Sequence, residues 1–209
     1  MIIAVDGPTA SGKGTIARAL ATHFGLPHLD TGLLYRAVGR QVFLDGGDPD
    51  QAGDALAACT FPDALLSDPE LRSEVTGGLA SRVSVHASVR QALYARQRGF
   101  ALQPGGAVLD GRDIGTVIAP EAEAKLFVTA RVEARALRRW KEMQVRGESP
   151  ALAEIEADLR RRDERDRTRA EAPLRAAADA VLLDTSDLAR DEAVAEAIAL
   201  VVARLESGR

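Results

Sequence analysis

The chain has 209 residues, of which 46% are hydrophobic, 4% aromatic and 28% charged, and its formal net charge is −4. That is the size of one main core with room for a small inserted lobe, and the acidic balance speaks against bulk binding of nucleic acid. Cys59, the single cysteine, excludes an intramolecular disulfide framework, and no apolar run of about eighteen residues is present to span a bilayer.

In chain order, residues 2–6 (IIAVD) form a short apolar run closed by Gly7-Pro8, the pattern of a buried strand. Residues 13–24 place Ile16, Leu20 and Phe24 at helical spacing, with Gly25 as the stop. Residues 28–30 are a second, short strand, followed by a helix from Leu33 to Phe43 that ends at Asp45-Gly46-Gly47. Residues 45–78 lack a clear period and carry Pro49, Pro62 and Pro69, which predicts short helices and turns. Helical spacing returns over 79–102, through Val85, Val89, Leu93 and Arg96, and ends in the turn at 103–106.

Strands are expected again at 107–110, 125–130 and 180–184. Helices are expected at 131–144, 151–168 and 190–206. Five alternations of strand and helix predict an α/β fold: a five-stranded, mostly parallel sheet with helices on both faces. In such a sheet ligands bind at the carboxyl ends of the strands.

The strongest motif lies between the first strand and the first helix. Gly7-Pro8-Thr9-Ala10-Ser11-Gly12-Lys13 fits the G-x-x-x-x-G-K phosphate loop in the strand–helix setting that the motif requires. Backbone N–H groups must point inward around phosphates, glycine allows the approach, and the helix adds its positive end. Lys13 is a compact charge that can follow a migrating phosphoryl group. The usual hydroxyl after the lysine is replaced by Gly14, so Thr15 is the nearest hydroxyl for Mg²⁺ or a phosphate oxygen. Asp6 reads equally as a hydrogen-bonding partner at the strand end and as a local cap on the loop.

The other candidates fall at strand ends. Asp30-Thr31-Gly32 closes one strand, with Tyr35-Arg36 one turn later, and Asp110-Gly111-Arg112-Asp113 closes another. Guanidinium forks on Arg36 and Arg112 match a monophosphate, although either alone reads equally as a surface ion-pair partner. In the charged helix, Arg162, Asp166 and Arg169 share one face, while Arg160, Arg161, Arg165 and Arg167 fan around the others. Arg131, Arg135, Arg138, Arg139 and Arg146 crowd the preceding helix and loop, where some could fold over a nucleotide as a lid. His23, His28 and His86 form no metal cluster in sequence.

Four segments together resemble the bacterial cytidylate kinase family: DGPTASGKGT (6–15), LDTGLLYRA (29–37), LDGRDIGTV (109–117) and RRDERDRTRAEAPL (161–174). The first is shared by many nucleoside-monophosphate kinases; the last two are more specific, and the resemblance spans nearly the whole chain. It implies a single P-loop kinase domain over 1–209, an acceptor-binding insert at 45–88, a short lid loop at 145–151 and transfer from ATP, with Mg²⁺, to CMP or dCMP. Thr31, Arg162 and Asp166 would contact the sugar. Arg36, Arg112 and Arg169 would hold the CMP phosphate, and Ser81, Arg90 and Asp113 would read the cytosine, with Tyr35 packed beside them.

Residues 7–15, with Arg138 and Arg139, would bind ATP. Lys13, Arg112 and Arg169 are the catalytic candidates. The insert is short between Cys59 and Leu71, so the small antiparallel sheet common in the family is expected to be trimmed or missing. The rivals are a P-loop kinase for AMP, UMP, shikimate or dephospho-coenzyme A, and a non-catalytic nucleotide-binding regulator. A GTPase is disfavoured because no N-K-x-D segment is present. The start MIIAVDG has neither the basic segment nor the apolar run of a secretory signal. The chain is expected to be cytoplasmic and a monomer, with the small-molecule substrates the resemblance implies and no nucleic-acid or membrane partner.

Overall fold

A computed structural model describes residues 1–207 of the chain. Its centre is a five-stranded sheet in the order β2-β3-β1-β4-β5, with every pairing parallel. The strands are β1 (Ile2–Asp6), β2 (His28–Asp30), β3 (Ala107–Gly111), β4 (Ala124–Thr129) and β5 (Val181–Asp184). The helices are α1 (Lys13–Phe24), α2 (Thr31–Leu44), α3 (Ala52–Ala57), α4 (Glu74–Val83), α5 (Ala87–Ala101), α6 (Val132–Val145), α7 (Leu152–Thr168) and α8 (Arg190–Ser207).

Alternation along β1 decides the two faces. Ile3 and Val5 pack with Ile16 and Leu20 of α1 and Ala197 and Val201 of α8, while Ile2 and Ala4 join Leu109, Ala101, Ile114 and Ile118 on the opposite face. With both faces covered, β1 is buried along its whole length, as a central parallel strand must be. β1 pairs with β3 on one side and β4 on the other, so the chain opens a crevice at its carboxyl end, where Asp6 stands opposite Gly111 and Phe127.

Two smaller cores flank this crevice. Leu34 and Val38 of α2 pack with Ala55, Leu65, Leu71, Val83, Val89 and Leu93 to make a helical lobe. Residues 45–83 contain α3, three short 3₁₀ segments and α4, and no strand, in keeping with the trimmed insert expected from the sequence. Ala136 and Met143 of α6 pack on Ile155 and Leu159 of α7.

One expected helix is divided. The spacing over 79–102 continues through Val85, but the chain breaks at 84–86: Ser84 Oγ donates to the Ser81 carbonyl, and the His86 ring lies 2.9 Å from the Pro49 carbonyl. That partner, far away in sequence, ends α4 and restarts the chain as α5. Among the described residues no helix is long and apolar enough to cross a membrane.

Candidate functional site

The loop between β1 and α1 is held by close contact. A Cβ on Gly7 would lie 2.0 Å from the Val128 carbonyl oxygen of the neighbouring strand, so only glycine fits the point where the chain leaves the sheet. Ala10 (φ 62°) and Gly12 (φ 89°) take left-handed conformations, and Gly12 begins α1 by accepting from the N–H groups of Thr15 and Ile16. Thr9 to Ile16 form one wall of a cavity of about 700 Å³. Across it stand Arg138, Arg139 and Arg146 from the α6 side, with Leu188, Arg190 and Ala193 at the start of α8. Gly7 and Pro8 do not line it.

Arg138 Nη1 donates to Thr185 Oγ1 at 3.0 Å, and the same hydroxyl donates to the Ser11 carbonyl at 2.9 Å. The end of β5 is thereby tied to the phosphate loop. Lys13 lies in this cavity with its ammonium drawn from water, and burial, with Arg112 adding repulsion, lowers its pKa to about 8. Asp110, Asp30 and Asp166 act in the opposite direction.

A second pocket of about 90 Å³ adjoins the first, and Thr9, Gly32, Arg36, Gly111 and Arg112 line both. Every acceptor-side residue expected from the sequence lines this smaller pocket: Thr31, Tyr35, Arg36, Ser81, Arg90, Arg112, Asp113, Arg162, Asp166 and Arg169. They come from α2, α4, α5, the segment after β3, α7 and Arg169 just past its end, so the fold gathers residues scattered over most of the sequence. Arg90 pairs with Asp113, and its guanidinium carbon sits 5.7 Å from the centre of the Tyr35 ring. Arg112 Nε donates to Asp166 Oδ2 at 2.9 Å, and Thr31 Oγ1 donates to the Asp110 carbonyl at 2.8 Å. Ser81 Oγ accepts from Arg165, a residue the sequence leaves on the outside of the charged helix.

Burial divides the faces of the charged helix. Its inward stripe starts apolar, at Ile155 and Leu159, and continues as Arg162, Asp163 and Asp166, all buried. Arg160, Arg161 and Arg167 are solvent-exposed ion-pair partners. Crowded guanidinium groups in the pocket repel one another: burial, then Arg139 and Arg162, lowers the Arg36 pKa to about 10. Burial likewise lowers those of Arg139, Arg162 and Arg169. Such a cluster gains most by receiving an anion.

Arg131 is exposed and paired with Asp187, away from both cavities. Arg135 is buried against Asp163 and reaches the Thr9 carbonyl. Sequence reasoning missed two more residues. Glu74, first in α4, stands between Arg139 and Arg162 and so joins α6 to the helical lobe. Thr185 lies in no motif and is recognisable only from its contacts.

Asp6 is the buried fastener beneath the site. Its two oxygens accept from the backbone N–H groups of Ile114 and Gly115, each at 2.8 Å, where residues 114–118 form a π-helical turn. Burial raises its pKa to about 7 against those bonds. Asp6 lines neither cavity, so its role is to hold the backbone beneath the site. Among the described residues no three His, Cys, Asp or Glu side chains gather as metal ligands. The donor set around the loop, a Thr15 hydroxyl with Asp30 and Asp110 in the cavity wall, fits a hard ion that takes most of its ligands from phosphates and water.

Comparison with known proteins bears on the whole chain. A family model described as Cytidylate kinase matches residues 3–203. A cytidylate kinase from Cereibacter sphaeroides is 57% identical over 207 residues, covering 99% of this chain and 98% of that protein. Another from Xanthobacter autotrophicus is 58% identical, covering 98% of each. A third, from Caulobacter sp., is 55% identical over 92% of this chain and 89% of its own. A solved structure of an uncharacterized protein from Eubacterium ventriosum shares the fold, with a TM-score of 0.53, 14% identity and 99% of both chains covered.

Proposed function

The chain belongs to the cytidylate kinase family, and from that premise we propose that it moves the γ-phosphoryl group of ATP to CMP and dCMP, giving ADP and CDP or dCDP. The observation that carries this reading is the meeting of two cavities. One is built on a phosphate loop, the other is lined by arginines and a base-sized constellation, and Arg36 and Arg112 face both.

In this reading ATP lies in the larger cavity, with its phosphates against residues 9–15 and Lys13 at the transferring group. Arg138 and Arg139 close over it from α6. CMP lies in the smaller pocket. Thr31, Arg162 and Asp166 hold its sugar, Arg36, Arg112 and Arg169 its phosphate, and Ser81, Arg90 and Asp113 its cytosine, with Tyr35 as the flank. Asp113 suits an amino group, because a carboxylate accepts and cannot donate. A CMP phosphate oxygen attacks the γ-phosphorus in line, and no strong base is needed for that step. Lys13, Arg112 and Arg169 neutralise the charge spread over the equatorial oxygens. Mg²⁺ would supply further charge neutralisation beside the donor phosphates, and Thr15 would be the hydroxyl to assist it.

The insert at 45–88 then forms the acceptor lobe and residues 145–151 the lid loop. Their closure would exclude water, the competing nucleophile. The test is ADP release from ATP and Mg²⁺ with CMP present or omitted, with CDP identified by anion-exchange chromatography. CMP-dependent ADP release matched by CDP supports the reading; ADP release that ignores CMP contradicts it.

A further inference from the structure

Thr9 ties the two halves of the site together. Its hydroxyl accepts from Arg112 Nη2 at 2.7 Å, and its carbonyl accepts from Arg135 Nη1 at 3.1 Å. Each of these arginines is held from behind by a carboxylate on α7. Asp166 Oδ2 takes the Nε–H of Arg112 at 2.9 Å, and Asp163 takes two N–H groups of Arg135, at 3.1 and 2.5 Å. Asp163 and Asp166 lie one turn apart on the buried face of α7.

The two clamps differ in rigidity. Arg135 and Asp163 have side chains 3% and 7% exposed, and Arg135 also donates to the Ala130 carbonyl, so this pair is a fixed post for the Thr9 backbone. The Arg112 side chain is 22% exposed and lines both cavities. Its guanidinium has five N–H donors. One goes to Asp166, one to Thr9 and one to the Gly111 carbonyl, which leaves two for an incoming anion. Without the Thr9 hydroxyl, Nη2 would lose its partner, and the guanidinium plane would be held only by the Asp166 bond at 2.9 Å and the longer Gly111 contact at 3.2 Å.

We propose that the Thr9 hydroxyl is a positioning group for Arg112, fixing the plane of the guanidinium so that its free N–H groups meet the phosphoryl group during transfer. This rests on the reading of Arg112 given above. Arg36 and Arg169 would still hold a CMP phosphate in the ground state, so loss of the hydroxyl should act on turnover rather than on binding.

The test compares Thr9→Val, which keeps the shape without an acceptor, with Thr9→Ser, which restores one, and with Thr9→Val/Arg112→Ala. Folding is checked by circular dichroism melts, and Thr9→Ala is the alternative if valine does not fold. The expected result is a kcat roughly tenfold lower for Thr9→Val, with KM for CMP changed by less than about twofold. Thr9→Ser should recover most of the loss, and the double variant should be no slower than Arg112→Ala alone. Unchanged kcat in Thr9→Val, or losses that multiply in the double variant, would overturn the proposal while wild-type turnover of CMP stands. Absence of that wild-type turnover would overturn both the proposal and the reading beneath it.

Discussion

Arg90 and Asp113 meet as an ion pair whose side chains are only 9% and 6% exposed, one from α5 and the other from the segment after β3. Burial works against the Arg90 charge, but Asp113 holds its pKa above the ordinary value. Asp113 also faces Arg169 at 3.9 Å, so the residues proposed to read the base and to hold the phosphate share a carboxylate. Breaking a buried pair leaves the survivor uncompensated, which costs far more than losing a surface pair.

Arg90→Met is therefore expected to lower kcat/KM for CMP by roughly 10- to 100-fold while leaving KM for ATP within about twofold. Steady-state kinetics with each substrate varied in turn checks this. Arg96, on the same helix, pairs with Asp63 at an exposed position. Arg96→Ala should change stability by less than about 1 kcal/mol and leave kinetics unaltered.

Lys13 gives a prediction with opposite signs for stability and activity. Its folded pKa is lowered from 10.5 to about 8, so the folded chain releases this proton more readily than the unfolded chain. The stability contribution is present above pH 10.5 and is lost as pH falls through about 8, so at neutral pH the charged lysine is a cost. Lys13→Met should raise the melting temperature of the free protein at pH 7 while lowering kcat by roughly 100-fold or more. In the wild type, kcat/KM for ATP should fall as pH rises through about 8, because the free enzyme loses the ammonium. Melting curves and a pH–rate profile check the two halves.

Gly7→Ala tests the departure of the loop from the sheet. The added methyl would meet a backbone carbonyl oxygen at 2.0 Å, and a backbone cannot swing aside as a side-chain tip can. The expected outcome is a loss of stability of about 3 kcal/mol or more, or failure to fold, seen by chemical denaturation. Gly53→Ala is the control, since nothing lies within 4 Å of its added Cβ.

The phosphate loop, the strands and most helices are legible in the sequence because local period and glycine punctuation carry them. Tertiary partners are what the period cannot show. The stripe through Val85, Val89 and Leu93 runs across a real break, because the Pro49 carbonyl that engages His86 is invisible to spacing. The π-helical turn at 114–118 is set by Asp6, whose two oxygens choose the N–H groups of Ile114 and Gly115.

In the site, the motif around Arg162 places its residues on one face, but nothing local separates the buried Asp163 from the exposed Glu164. Arg131, Arg135, Arg138 and Arg139 look alike in sequence. Their partners divide them: Asp187 at the surface, Asp163 in the interior, Thr185 beside the loop and Glu74 across the cleft. Thr9 illustrates the same limit, since its place in the motif concerns its backbone while its hydroxyl contact comes from a residue 103 positions away.

The most direct measurement is kcat/KM for CMP, dCMP, UMP and AMP with ATP and Mg²⁺ under one set of conditions. The carboxylate of Asp113 and the guanidinium of Arg90, set together in a pocket of about 90 Å³, predict that CMP and dCMP are the preferred acceptors and AMP a poor one. AMP turned over more efficiently than CMP would contradict the account.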